Sequence, residues 1–177
     1  MPTHDQPLYR RIVTGSAASG RSTIVSDDRL PVSNVLGIVD FWQTNAVPAS
    51  LTESWQAEAT PKLLPSAGGT IFRFFEIPAL TNAASHQELV EQAKQAFAAA
   101  DAADCQVDTT RHPMMHCTET IDYVVLLRGN VTLILDDAEI DLEPFDAVVQ
   151  RGANHYWVNS ADTPALFLGV LLDAKST

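Results

Sequence analysis

The chain has 177 residues, with 22 acidic against 11 basic side chains, a net charge of -11 and a pI near 4.6. That length suits one well-filled core, and the charge excludes partners that need a basic patch, namely nucleic acid and an anionic membrane surface. Residues 1–11 lack the apolar core of a secretory signal, no apolar run reaches the length of a membrane span, and Cys105 and Cys117 have no metal-type spacing and make no disulfide framework. The expectation is a single domain, 1–177, in a reducing cytoplasm.

In chain order, residues 1–7 form a polar lead. Residues 9–14 and 22–26 are β-branched runs on either side of the flexible segment from Gly15 to Gly20, and predict two strands joined by a long turn, the second ending at Asp27, Asp28 and Pro31. Residues 35–42 predict another strand, with Phe41 and Trp42 supplying apolar area. The stretch 44–65, rich in Pro, Ser and Thr, predicts an irregular loop wrapping the molecule. Residues 70–77 predict a strand that stops at Pro78, which cannot donate in a ladder. Together 1–78 supply N-terminal strands and a wrapping loop. Ser85 followed by Glu88 has the spacing of a capping box. Leu89, Val90, Ala93, Ala96 and Phe97 then recur at three and four residues, so an amphipathic helix runs to about Ala100, within a helical region 85–103. Its apolar stripe is expected on the outside of the main body or on a partner subunit.

The stretch from Arg111 to Asn159 concentrates the chemistry. On a strand, side chains two apart share a face, so His116, Thr118, Thr120 and Asp122 point one way, with Val124 and Leu126 continuing inward, while Glu119 faces out. Gly129 closes that strand where the chain turns or another backbone comes close. Residues 131–135, 139–143 and 147–150 follow as short strands joined at Asp136-Asp137-Ala138 and Pro144-Phe145-Asp146. His155, Trp157 and Asn159 share a face of the next strand, and 166–172 is a continuous apolar run that reads as a buried strand. Tight turns between short strands predict an all-β antiparallel architecture.

The order His116, Asp122, Gly129, then Gly152, His155 and Asn159 resembles the paired motifs of the cupin superfamily over residues 112–172. Three positions depart from that pattern: Thr118 stands at the second histidine, Asp122 at the glutamate, and Phe145 at a turn glycine. The resemblance implies an antiparallel double-sheet jelly-roll barrel with one short helix, one small organic ligand at the barrel mouth, and a homodimer. It also implies a divalent metal, whether iron, zinc, manganese or nickel, on His116, Asp122 and His155, the ligand types of a facial triad. Thr118 is a weak donor, and the shorter Asp122 has less reach. The alternative is a metal-free pocket in which the same three groups hydrogen-bond.

Asp122 and Arg128 are the catalytic candidates, the first as an acid or base, the second as an anchor for a substrate carboxylate unless it pairs with Glu143 or Asp146. Thr118, Met114 and Trp157 are the candidates for the substrate pocket, Trp157 as a wall for a planar group and Met114 with core packing as its plainer role. His112 is placed at the rim, Tyr123 and Tyr156 on the opposite face, and His4 and His86 at the surface. Two functions follow from the resemblance. One is a metal-dependent enzyme of dioxygenase, isomerase, decarboxylase or dehydratase type, and the other a small-molecule binding or sensing module. One fold hosts many chemistries, so the fold does not choose between them.

Overall fold

The computed structural model describes residues 8–32, 37–56, 60–79 and 85–176. The polar lead, His4 and the start of the strand expected at 35–42 lie outside the described residues. Ten strands form: β1 (Leu8–Ser16), β2 (Ser22–Pro31), β3 (Ile38–Thr44), β4 (Thr70–Ile77), β5 (Thr120–Arg128), β6 (Val131–Leu135), β7 (Glu139–Leu142), β8 (Ala147–Arg151), β9 (His155–Val158) and β10 (Ala165–Asp173). Among the described residues one α-helix, α1 (His86–Ala99), interrupts them, followed by a short 3-10 turn at Ala103–Cys105.

All pairings are antiparallel, in a five-stranded sheet of order β3-β4-β10-β5-β8 and a three-stranded sheet of order β7-β6-β9. A single bridge between His116 and His155 adds a rudimentary fourth member to the small sheet, beside β9. Counting that bridge, the order is the jelly roll: β4-β10-β5-β8 faces His116-β9-β6-β7, with each chain crossing carrying one sheet into the other. This is the antiparallel double-sheet jelly-roll barrel that the sequence resemblance implies.

The inner faces meet in a core of Val124, Leu126, Val131, Leu133, Leu142, Trp157, Ala165 and Phe167. β5 alternates buried and more open positions from Thr120 onward, as its sequence predicts for a strand with one face inward. β10 has neighbours on both edges, pairing with β4 and β5 along its length, and its apolar run is buried or half-buried at every position. Phe75 and Phe167 stack across β4 and β10 with ring centroids 5.0 Å apart.

Two turns bear on the motif. Gly129 has φ 95°, and a Cβ there would lie 2.8 Å from Ala165 Cβ, the close approach its position suggests. Phe145 has φ 78°, so the turn that commonly takes a glycine holds the same left-handed backbone with a phenylalanine that is 80% exposed. The β1–β2 hairpin is a separate two-stranded sheet with Ile12, Ile24 and Val25 exposed. It is tied to the barrel through Arg11, which donates to Phe41 O at 3.1 Å, and through Tyr9 packed edge-on against Phe74.

The helix begins as its sequence predicts. Ser85 Oγ accepts from Glu88 N and the Glu88 carboxylate accepts from Ser85 N. Its apolar stripe is not spent on the outside of the barrel. Phe97, Ala100, Ala102 and Cys105 cluster with Leu63, Leu64 and Met114, and Leu63 N donates to Ala100 O at 3.0 Å, so the helix and the loop before β4 close together over the space between the sheets.

Candidate ligand pocket

A cavity of about 190 Å³ lies between the large sheet, β9 and α1. Ile38, Phe75, Val124, Leu171 and Trp157 line it from the strands, Ala96, Phe97 and Ala100 from the helix, and Leu63 and Met114 from the loops. His116, His155, Asp122, Arg73 and Glu76 are the groups in its wall that carry charge or titrate.

His116 and His155 are brought together by the bridge between their backbones, in which His116 N donates to His155 O at 3.1 Å and His155 N to His116 O at 2.9 Å. Their rings lie 4.3 Å apart. Each ring is fixed in the same way: His116 Nδ1 lies 3.1 Å from Met114 O and His155 Nδ1 2.9 Å from Ala153 O. A carbonyl only accepts, so Nδ1 carries the proton in both and Nε2 keeps a lone pair. Burial lowers the affinity of both rings for a second proton, and for His155 burial and then the neighbouring His116 push its pKa down to about 3. Both imidazoles are therefore neutral at physiological pH.

Asp122 sits on β5 between Leu171 and Gln150, on the inward face. Burial pushes its carboxyl up to about 6, against the lowering effect of the Thr120 hydroxyl and the Arg73 charge. Its Oδ1 is buried without a hydrogen-bond partner among the described residues. Arg73 comes from β4, opposite Asp40 on β3. Its Nε donates to Asp40 Oδ1 at 2.8 Å, and its Nη2 to Asp40 Oδ2 at 3.3 Å and Lys62 O at 2.5 Å. Both partners are nearly inaccessible, with side chains 3% and 4% exposed.

The expected three-ligand set is not assembled: among the described residues no three His, Cys, Asp or Glu side chains converge as a metal site requires. The reason lies between Met115 and Thr120. The sequence treats His116 to Asp122 as one strand face, but His116 pairs with β9 in the small sheet, whereas Thr120 already belongs to the large one. The chain changes sheets between them, so Thr118, Thr120 and Asp122 are buried but the parity of one continuous strand does not set Asp122 against the two rings, although Asp122 and both rings line the same cavity. Two imidazole lone pairs remain as donors to a metal, and the carboxylate does not join them.

The other candidates divide. Met114 and Trp157 line the cavity as expected, and Trp157 meets His155 edge-on at 5.6 Å. Thr118 is buried, but its hydroxyl bonds Thr120 Oγ1 at 2.8 Å and it is not part of the cavity wall. Arg128 is displaced from its expected role: its side chain is 59% exposed and lies 3.3 Å from Glu76 Oε1, outside the lining, and its partner is neither Glu143 nor Asp146. Asn159 is a brace, donating to Ile77 O and Thr163 O and accepting from Ala161 N. His112 stacks on Tyr156 with ring centroids 4.0 Å apart, and Glu119 is exposed. Sequence reasoning missed Arg73, Asp40, Phe97 and Ala100. The helical stripe marks Phe97 as buried, and nothing in the sequence says against what.

No family model matches the chain. Phomopsin biosynthesis cluster protein C' of Diaporthe leptostromiformis is 45% identical over 64 residues, 35% of this chain and 34% of that protein. Oryzines biosynthesis cluster protein J of Aspergillus oryzae is 42% identical over 65 residues, 36% of each. The chain spans about a third of the length of these curated relatives. Among solved structures, a Cupin 2 conserved barrel domain protein from Salinispora arenicola is 14% identical, with 82% of each chain covered and a TM-score of 0.42. This chain's own strand order makes its fold a jelly roll. Among the described residues no helix is long and apolar enough to cross a membrane.

Proposed function

We propose that the barrel binds one small, mainly apolar organic molecule between its sheets and α1, and transfers protons on it with Asp122 and the two imidazoles as acid–base groups. The observation that carries this is a buried carboxyl oxygen without a partner, Asp122 Oδ1, in the wall of an apolar cavity shared with two neutral histidines. A buried polar atom left unpaired is costly, and a ligand that supplies its partner recovers that cost. A carboxyl group pushed toward neutrality suits it to hold or release a proton at physiological pH. Isomerisation, dehydration and decarboxylation all turn on such a transfer. The biosynthesis clusters in the relatives' names support a place in the assembly of a small natural product.

A thermal-shift screen of small organic fragments tests the binding step. Hits should stabilise the native chain and lose their effect in Ala96→Phe, which fills the cavity from the helix side. Hits that stabilise both proteins equally would place binding elsewhere.

The two Nε2 lone pairs favour a second reading, in which His116 and His155 hold a divalent ion, whether iron, zinc, manganese or nickel. Such an ion would supply Lewis acidity to a bound oxygen atom. Elemental analysis of protein purified without chelator separates the two. Near one metal per chain, lost in both His116→Ala and His155→Ala, supports the ion, and its absence after reconstitution supports the acid–base pocket.

A further inference from the structure

The polar groups of the cavity sort by what each has left to offer. His116 and His155 each spend their one N–H on a backbone carbonyl, so each presents a lone pair. Asp122, 8% exposed, lines the cavity and carries a buried oxygen without a partner among the described residues. Arg73 does not reverse this balance. It donates to Asp40, Lys62 O and Leu63 O, and the Asp40 carboxylate at 2.8 Å offsets its charge. Glu76 is likewise matched by Arg128. The wall thus offers three free acceptors, one of them the Asp122 carboxylate, its Arg73 cation is already paired with Asp40, and it is faced by the rings of Phe75, Phe97 and Trp157.

We infer that the ligand is a small organic ammonium ion, with its charged N–H groups on Asp122 Oδ1 and a further donor of the same molecule toward the imidazole lone pairs. The inference rests on the cavity being a ligand pocket, as proposed above. An ammonium group has three donors and no acceptor, which complements a wall of acceptors. A carboxylate ligand would set its lone pairs against those of the wall, and an alcohol would bring one donor and no charge. Aromatic faces attract cations, and more strongly where water is excluded. A metal ion needs its donors to converge on one point, and these do not. An organic cation reaches them from different atoms. The volume, below the roughly 300 Å³ at which drug-sized sites begin, restricts the apolar body to about the size of a benzyl or short branched alkyl group.

A matched set tests this: benzylamine, benzyl alcohol and benzoate titrated calorimetrically into the full chain at pH 7.5, with zinc chloride as a fourth titrant. Benzylamine should bind at least about tenfold tighter than benzyl alcohol, the margin of a charge-assisted hydrogen bond, and benzoate weakest. Asp122→Asn should abolish the preference for benzylamine over benzyl alcohol. Equal or better binding of the alcohol or of benzoate would overturn the ammonium assignment and leave the pocket standing. Stoichiometric zinc that blocks benzylamine and depends on Asp122 would overturn it in favour of a metal. If none of the three organic probes binds and the fragment screen is also empty, the pocket itself falls. Should Asp122→Asn fail to fold, the ranking of the three probes on the native chain still decides.

Discussion

Asp122 is held at a cost to the fold. Its carboxyl is raised from 3.8 to about 6 by burial, so the folded chain prefers it protonated and the unfolded chain does not. The stability from this group is complete below about pH 4 and is lost as pH rises through about 6, a loss on the order of 3 kcal/mol. Asp122→Asn removes the titration and keeps the shape. Thermal denaturation of both proteins from pH 4 to pH 8 should therefore show the variant gaining on the native chain as pH rises. His155 titrates in both proteins, with the opposite sign, and cancels in the comparison: its neutral form is favoured, and its stability is full above 6.5 and lost as pH falls toward about 3. Arg73 and Asp40 are different in kind. Their bidentate pair leaves neither charge alone, and its value lies in what removing one partner would expose.

At the scale of elements, the helix is part of the site. Phe97 is 6% exposed, meets the His116 ring at a centroid distance of 5.1 Å, and lines the cavity. Phe97→Ala should cost about 3 kcal/mol in chemical denaturation, and should weaken every ligand that enters the cavity. Loss of stability with unchanged ligand affinity would show that the ring serves packing alone. The strands and the capping box were legible because each is written locally, in alternation, turn residues and the Ser85–Glu88 pair. β4 and α1 fall where the residues place them, β6 to β8 and β10 within a position or so, and β5 begins at Thr120, four residues after the His116 from which its strand face is read. The destination of an amphipathic stripe is a long-range fact, and the sequence has no local sign of it. The same limit governs the metal expectation. Parity along 116–122 orients side chains correctly as long as one strand continues, and it says nothing once the chain passes from the small sheet to the large one. Motif order made His116, Asp122 and His155 visible as candidates, and only the backbone path shows which of them meet.

For the whole molecule, the large sheet and the β1–β2 hairpin are unequally anchored. β10 is bonded along both edges and contributes Ala165 and Phe167, with no measurable exposure, to the main core. The β1–β2 hairpin has one partner strand each, exposed Ile12, Ile24 and Val25, and ion pairs Arg10–Asp27 and Arg11–Asp28 near solvent. A two-stranded sheet alone is marginal in water. Hydrogen exchange should find amides of β1 and β2 exchanging through local opening while those of β10 exchange only with global unfolding. Equal protection in the two would mean that the hairpin opens only with the barrel.

Gly152 follows β8 with φ 63°, and a Cβ there would come within 2.8 Å of Thr118 O. It is not part of the cavity wall, yet any side chain at this position would displace the crossover that links His116 to β5. For protein engineers, the pocket therefore has a control point outside its own walls. A library confined to lining residues would vary the chemistry of the site and never its span, whereas position 152 moves one histidine relative to everything opposite it.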